Sequence, residues 1–183
     1  MGFLSLLIVS LAITSLILTS SLASFDVLGQ KEKYRAKLSG KSEIPRVNST
    51  AKGSANFKAQ KDILTWKLNI TGMSDSTGAK IYKGNKTENG EPIIDLMKSN
   101  NWSRTPLGIV MNGSISASDL QGSLQGNSTK VLKSLMSSGD TYVNVLTNGH
   151  PEGEVRGQIK MSASKLNQTN TANMTGNVTT VTK

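Results

Sequence analysis

Apolar and polar side chains alternate along several short stretches of this chain, which is the pattern of half-buried β-strands. The alternation is clear at residues 34–38, 53–59 and 64–70, and it continues at 92–97 and 109–115. Strands with one dry face build antiparallel sheets, because parallel strands covered on both faces have continuous apolar runs. The pattern therefore predicts an all-β domain: an antiparallel Greek-key β-sandwich or flattened barrel.

The last alternating stretch, residues 142–159, predicts a β-hairpin. Residues 142–146 and 154–159 alternate, and the segment between them, 148–153, contains turn formers. Alternation places four apolar side chains on one buried face: Val143, Val145, Val155 and Ile159. The other face receives the polar side chains of this second strand: Glu154, Arg156 and Gln158. Gly157 falls on the inward side, where it indicates a bulge or a close backbone approach.

One segment has helical spacing instead. A single apolar stripe is formed by Val131, Leu132, Leu135 and Met136. Residues 127–129 are suited to cap its start and Gly139 to end it, so a short helix is predicted. Its use stays open between docking a partner and covering an open end of the sandwich.

Both ends of the chain differ from this middle part. Residues 1–25 have no charged side chain, which predicts a signal peptide or a membrane anchor over residues 1–23. Either one would place the remainder outside the cytoplasm. Residues 24–32 are interpreted as a linker and 33–161 as the folded domain. The Asn- and Thr-rich residues 162–183 are predicted to be a disordered tail, since they cannot bury enough apolar surface to offset their ordering entropy.

Cysteine content and charge indicate what stabilises the domain and which partners it could attract. The chain has no cysteine, so a secreted domain of this sequence must be held by its apolar core rather than by disulfides. All 21 Lys and Arg residues follow residue 30, and the net charge is +9. Because the lysines are scattered along the sequence, this charge is interpreted as a source of solubility, although a basic surface can attract acidic polymers or anionic lipids. Dispersed aromatic residues argue against nucleic-acid binding.

Four segments, in order, resemble the chordin-type (CHRD) domain family. Residues 34–45, YRAKLSGKSEIP, resemble its opening motif, and 78–84, GAKIYKG, occupy the place of its AHIHxG motif. Residues 113–120, GSISASDL, are similar to its G.i.a.dL segment, and the hairpin at 142–159 is similar to its closing YVNVHT…P.GEIRGQI signature. The resemblance covers about residues 34 to 160. It implies an extracellular β-sandwich.

The histidines of those family motifs would suit a copper or zinc site. In this chain the same positions hold Lys80, Tyr82 and Leu146, and the only histidine is His150. We therefore expect no transition metal and no cofactor. A degenerate relative of a metal-binding or copper/zinc superoxide dismutase-like sandwich remains the alternative interpretation.

Asn-x-Ser/Thr sequons are more frequent than the roughly three expected by chance. They begin at Asn48, Asn69, Asn85, Asn101, Asn112, Asn127, Asn167, Asn173 and Asn177. Their number predicts a glycoprotein outside the cytoplasm. Heavy sequon use without disulfides would suit an archaeal cell surface.

No arrangement of residues predicts an enzyme. His150 has no Cys partner, and no spacing selects a pair of carboxylates as acid and base. The expected function is a non-enzymatic binding or structural module, whose partner is an extracellular protein or an envelope polymer. No nucleic-acid partner is expected, and a membrane is expected only through an uncleaved N-terminal segment. The candidate binding face consists of Lys80, Tyr82, Asn144, Leu146, Glu154 and Arg156. Glu154 and Arg156 are expected to form a surface ion pair or to contact a neighbouring strand.

Overall fold

The computed structural model describes residues 31–99 and 101–162. Ten strands are present in this part of the chain: β1 (Lys33–Ser39), β2 (Lys52–Gln60), β3 (Ile63–Thr71), β4 (Gly78–Lys83), β5 (Glu91–Asp95), β6 (Trp102–Thr105), β7 (Gly108–Ile115), β8 (Thr141–Leu146), β9 (Val155–Gln158) and β10 (Lys160–Met161). The α-helix of the described residues is α1 (Thr129–Ser138). Short 3₁₀ turns occupy Gly40–Ser42, Leu96–Ser99, Ala117–Asp119 and Gly122–Leu124.

All strands pair antiparallel in one continuous sheet. The strand order is β5-β4-β8-β9-β1-β2-β3-β7-β6, and β10 also pairs with β1. The sheet curls into a half-barrel, and the 3₁₀ turn at Leu96–Ser99 contacts both β4 and β7. The predicted all-β antiparallel class with one short helix is confirmed.

The inner face of the curled sheet carries the core. Alternate residues of the paired strands are buried in a single apolar cluster, which includes Phe57, Trp66, Leu68 and Ile81. Burying a Leu, Ile or Phe side chain contributes about 1.5–3 kcal/mol, so this cluster supplies the stability that a protein without disulfides needs.

The predicted hairpin formed by β8 and β9 is confirmed. Its four inward apolar side chains are all buried: Val143, Val145, Val155 and Ile159. Gly157 lies against the backbone carbonyl of Lys37, and a Cβ atom there would overlap that carbonyl. This contact confirms the predicted close backbone approach.

Helix α1 covers one end of the core. It begins after Ser128 and ends at Gly139, whose left-handed φ of 81° is the usual helix stop. Leu132 and Met136 are fully buried, and the Tyr34 hydroxyl lies 3.2 Å from Ser137 Oγ on the helix. Of the two uses left open by the sequence, this packing matches the covering role.

Strand β6 and the 3₁₀ turns were not predicted from the sequence, because each is too short to show a period. Among the residues described, no helix is long and apolar enough to cross a membrane. The predicted signal or anchor segment, most of the linker and nearly all of the predicted tail lie outside the described residues.

Candidate functional site

The sheet register brings most of the candidate binding face together. On the outward side, Lys80 pairs with Asn144, and Asn144 pairs with Arg156 across three neighbouring strands. Tyr82 pairs with Tyr142, and Leu146 pairs with Gly78. Residues directly opposite in an antiparallel pair point to the same side, so these side chains form one outward surface.

Arg156 lies at the centre of this surface but is only 1% exposed. Its Nη1 donates to Asn89 Oδ1 at 2.8 Å, and its Nη2 donates to the carbonyls of Asn85 at 2.7 Å and Glu88 at 2.8 Å. The guanidinium also lies 3.5 Å from the centroid of the Tyr142 ring, which is a cation–π contact. Arg156 therefore fastens the loop of residues 84–90 onto the sheet.

Two tyrosines extend this packing. The rings of Tyr82 and Tyr142 stack with centroids 5.1 Å apart and an interplanar angle of 7°. The Tyr142 hydroxyl accepts a hydrogen bond from the Gly90 backbone N–H at 3.1 Å. Burial raises the pKa of Tyr82, so its phenol stays neutral at physiological pH. The loop is thus held from both of its ends.

Glu154 does not pair with Arg156 as one of the sequence interpretations expected. Its carboxylate accepts hydrogen bonds from Ser49 Oγ and from Thr147 Oγ1, both at 2.7 Å. Each member of the expected pair is therefore hydrogen-bonded to other groups: Glu154 to two hydroxyls, and Arg156 to the loop of residues 84–90. The alternative expectation was contact with a neighbouring strand. It describes Arg156, whose guanidinium lies over the Tyr142 ring of β8, whereas the hydrogen-bond partners of Glu154 lie in loops.

A cavity of about 270 Å³ lies beside Arg156. It is lined by Lys41, Ser42, Glu43, Ile44, Arg46, Lys86, Arg156 and Gln158. Two buried acceptor atoms, Glu43 Oε1 and Gln158 Oε1, have no hydrogen-bond partner among the described residues. Buried acceptors without a donor are costly, so these two atoms reduce the stability of this region.

Glu43 is the one carboxyl group that lines this cavity, and the residue is only 6% exposed. Burial raises the pKa of the Glu43 carboxyl to about 7, although the nearby Arg156 charge opposes the rise. Burial also lowers the pKa of Arg156, which is still charged at every physiological pH. The protonation of Glu43 thus changes within the physiological range.

The members of the candidate face differ in accessibility. Asn144 and Arg156 are buried, whereas four side chains are half-buried and reachable by a partner: Lys80, Tyr82, Leu146 and Glu154. We call these four the polar ridge. The buried pair lies among the ridge residues and is held by hydrogen bonds. Asn144 Nδ2 donates to the carbonyl of Glu152 at 2.9 Å.

Sequence reasoning missed several residues of this region. Tyr142 follows the same alternation as Asn144, so the strand period could have found it. Gln158 was placed on the outward face by the sequence but was not included in the candidate binding face. Glu43 and Asn89 lie in loops without a period, and no sequence signal indicated that both would approach Arg156.

A transition metal does not fit the positions where relatives carry histidine. Lys80 and Tyr82 lie on one strand, and Leu146 lies on its neighbour, so the three positions are close. An ammonium group, a neutral phenol and an alkyl chain are poor ligands for copper or zinc. Within residues 31–99 and 101–162 there is no group of three or more His, Cys, Asp or Glu side chains that could hold a metal ion. The absence of a metal site stays a prediction.

Six of the nine sequons lie in the described part of the chain. Asn48, Asn101, Asn112 and Asn127 are exposed, and Asn69 and Asn85 are half-buried. The Asn85 side chain is engaged within its own sequon, since its Oδ1 accepts hydrogen bonds from the Thr87 N–H at 2.8 Å and hydroxyl at 2.7 Å. The remaining sequons lie outside the described residues: Asn167, Asn173 and Asn177.

A second cavity, of about 670 Å³, lies between β3, β7 and the 3₁₀ turn at Leu96–Ser99. Asn101 and Asn112 both contribute to its lining. A glycan on either asparagine would stand at this opening.

These features define an all-β domain whose curled antiparallel sheet keeps its core inside and carries polar groups and loops on its outside. The family model of the CHRD domain matches residues 34–159, and the chain belongs to the CHRD domain family. CHRD domains are extracellular-type domains. No curated protein and no solved structure matches the chain.

Proposed function

We propose that this protein is a non-enzymatic binding module at the cell surface, whose partner is an extracellular protein or an envelope polymer. The observation that carries this proposal is the polar ridge of Lys80, Tyr82, Leu146 and Glu154, which is reachable from solution on an otherwise closed part of the sheet. Its mixture of a cation, an aromatic ring, an alkyl group and a carboxylate is suited to recognising a polar surface with small apolar portions.

Rigidity beneath the ridge supports this role. Arg156 and Tyr142 hold the 84–90 loop, and the stacked Tyr82 ring belongs both to that packing and to the ridge. Side chains that are fixed before binding lose less conformational freedom when they meet a partner. Two of the four ridge side chains are therefore preorganised: Tyr82 by ring stacking and Glu154 by its two hydrogen bonds.

Attachment to envelope material tests the ridge. The double variant Lys80→Ala, Tyr82→Ala should bind envelope fractions at least about tenfold more weakly, because aromatic and cationic side chains dominate interface energy. Lys130→Ala is the control for the loss of a cation, since Lys130 is exposed on helix α1, which contacts β10. Equal attachment of the wild type and the double variant would clear the ridge of a binding role.

Glycosylation belongs to the same proposal. Exposed asparagines at Asn48, Asn101, Asn112 and Asn127 are accessible to a glycosyltransferase. The native protein should therefore have an intact mass above that of its polypeptide. A native mass equal to that of the polypeptide would remove this part of the proposal.

Export and an archaeal cell surface remain predictions from the sequence. N-terminal sequencing of the native protein distinguishes a signal peptide removed after Ala23 from a retained anchor. A mature chain that starts at Met1 would exclude cleavage.

A further inference from the structure

The outward side of β10, β1, β2 and β3 carries cations, and neither these strands nor the neighbouring β7 present an acidic side chain. These strands and the adjoining β6 contain no Asp or Glu. Seven exposed cations point outward from them, and together they define what we call the basic face: Lys33, Arg35, Lys37, Lys52, Lys58, Lys67 and Lys160. Lysines that are scattered along the sequence are thus gathered on one surface.

The sheet register arranges these charges in rows. Lys33 lies opposite Lys58, and Arg35 lies opposite Lys160 on its other side. Neighbouring strands are about 4.8 Å apart and successive rows about 6.8 Å apart, so several anionic groups of one extended polymer could be contacted together.

Within the described residues, no acidic side chain forms an ion pair with the basic face. Like charges directly opposite on neighbouring strands are destabilising, and Lys33 with Lys58 is such a pair. The nearest acidic residues along the chain, Glu32 and Asp62, lie outside the strands, and Glu32 is 3.6 Å from Lys133 on helix α1. A surface that keeps unfavourable charge pairs without a counter-charge is complementary to an anionic partner.

The remaining outward side chains of the basic face indicate the class of that partner. They are hydroxyl and amide groups, such as Ser54, Asn56 and Thr65, which hydrogen bond well to sugar hydroxyls. No outward position of β1, β2, β3 or β7 holds an aromatic residue, so stacking with nucleobases has no platform. An apolar exception is the exposed Ile63, the first residue of β3, and one apolar side chain is too small a contact to hold this face on a bilayer.

We propose that the basic face binds an acidic polysaccharide, through its sulfate or carboxylate groups. This inference rests on the proposed extracellular binding role, but it uses a surface separate from the polar ridge. The sequon residues Asn69 and Asn112 point outward from β3 and β7, at one side of this face. The cations of β10 and β1 lie farther from these two sites.

The test measures binding of the full chain, made in a host that adds no N-glycans, to heparin and to polygalacturonate. These two polymers distinguish sulfate from carboxylate recognition. We expect binding that weakens as salt is added, because exposed charges are screened. The triple variant Lys37→Gln, Lys58→Gln, Lys67→Gln should lose at least about tenfold in affinity.

The matched control is Lys83→Gln, Lys98→Gln, Lys130→Gln, which removes the same net charge from exposed positions off the basic face. This control should stay within about twofold of the wild type. Equal losses in both triple variants would overturn the proposal, since net charge alone would then explain binding. Urea unfolding midpoints at or above that of the wild type establish that each variant is folded.

Duplex DNA and vesicles of anionic phospholipid are the competing anions. Tighter binding to either than to both polysaccharides would overturn the assignment, as would no binding to either polysaccharide. The Lys80→Ala, Tyr82→Ala variant should keep its polysaccharide affinity. Loss of envelope attachment in that variant with retained heparin binding would show that the two surfaces act separately, whereas heparin binding that depends on Lys80 and Tyr82 would overturn the placement on the basic face.

Discussion

Two regions on the outside of the same sheet differ in whether their positive charges are buried or exposed. Over β4, β8 and β9, the guanidinium of Arg156 is buried, and loop carbonyls and the Tyr142 ring occupy its donors and its flat side. Over β10, β1, β2 and β3, the seven cations of the basic face stand in water with no acidic side chain among them. Both regions are made by alternation on antiparallel strands.

Whether a loop covers a charged side chain decides whether that side chain stabilises the fold or stays available to a partner. A buried charge must be fully hydrogen-bonded, so it becomes part of the architecture and cannot also serve a partner. An exposed charge contributes little to stability and stays available. We therefore expect substitutions of Arg156 to affect folding and substitutions in the basic face to affect binding.

Substitution of Arg156 is expected to cause the greatest loss of stability. Arg156→Met should lower the free energy of unfolding by about 3 kcal/mol or more, because it removes charge-assisted hydrogen bonds and leaves the carbonyls of Asn85 and Glu88 without donors. Urea unfolding followed by circular dichroism measures the change. Arg35→Met on the basic face is the control and should stay within about 0.5 kcal/mol of the wild type. Similar losses in both variants would break the comparison.

The buried Glu43 carboxyl should make the stability of the protein depend on pH. The pKa of the Glu43 carboxyl in the folded state, about 7, lies above its ordinary value of 4.5. The stabilisation of the folded state that comes from this difference is therefore complete below pH 4.5. Between pH 4.5 and 7 the unfolded chain releases the proton first, and stability should fall by about 3 kcal/mol in total, at about 1.4 kcal/mol per pKa unit.

Glu43→Gln should abolish that fall, and its unfolding free energy should exceed that of the wild type most above pH 7. Urea unfolding at intervals from pH 4 to pH 8 measures the difference between the two curves. Glu91→Gln, at an exposed position of β5, is the control. Parallel curves for the wild type and Glu43→Gln would contradict the buried, raised carboxyl.

A smaller effect is expected from a single hydroxyl. Tyr142→Phe removes the acceptor of the Gly90 N–H and should cost about 1 kcal/mol. Tyr82→Phe keeps the stacked ring and should cost less, since the Tyr82 hydroxyl makes no hydrogen bond within residues 31–99 and 101–162. Thermal unfolding of the two variants side by side measures the difference, and a larger loss in Tyr82→Phe would be inconsistent with the geometry.

The smallest effect is expected on the basic face and has the opposite sign. Lys58→Gln relieves the repulsion from Lys33 and should raise stability by about 0.2–0.5 kcal/mol at low salt. The gain should disappear near 1 M salt, where the Debye length is about 3 Å. Lys98→Gln serves as the control in the same unfolding measurements. A gain that persists at high salt would point to a cause other than charge.

Local patterns in the sequence predicted the strands, the hairpin and the helix, because each depends on residues within a few positions of one another. Alternation placed Val143, Val155 and Ile159 inside, and the Ser128 and Gly139 positions bounded α1. Alternation in the hairpin also placed Arg156 outward, and the resemblance to the family's histidine positions added Lys80, Tyr82 and their neighbour Asn144 to the candidate face. Neither argument could indicate which of these residues loops would cover.

Only the tertiary structure decided what becomes of the charges. The loop at residues 84–90 closes over Arg156 through contacts between residues 67 to 71 positions apart in sequence, and no local period indicates such contacts. The interpretation of the lysines as scattered was correct for the sequence, but the register of β1 with β2 and β10 gathers them on one face. Side-chain alternation is a property of each strand alone, whereas charge density and coverage arise from which strands and loops become neighbours.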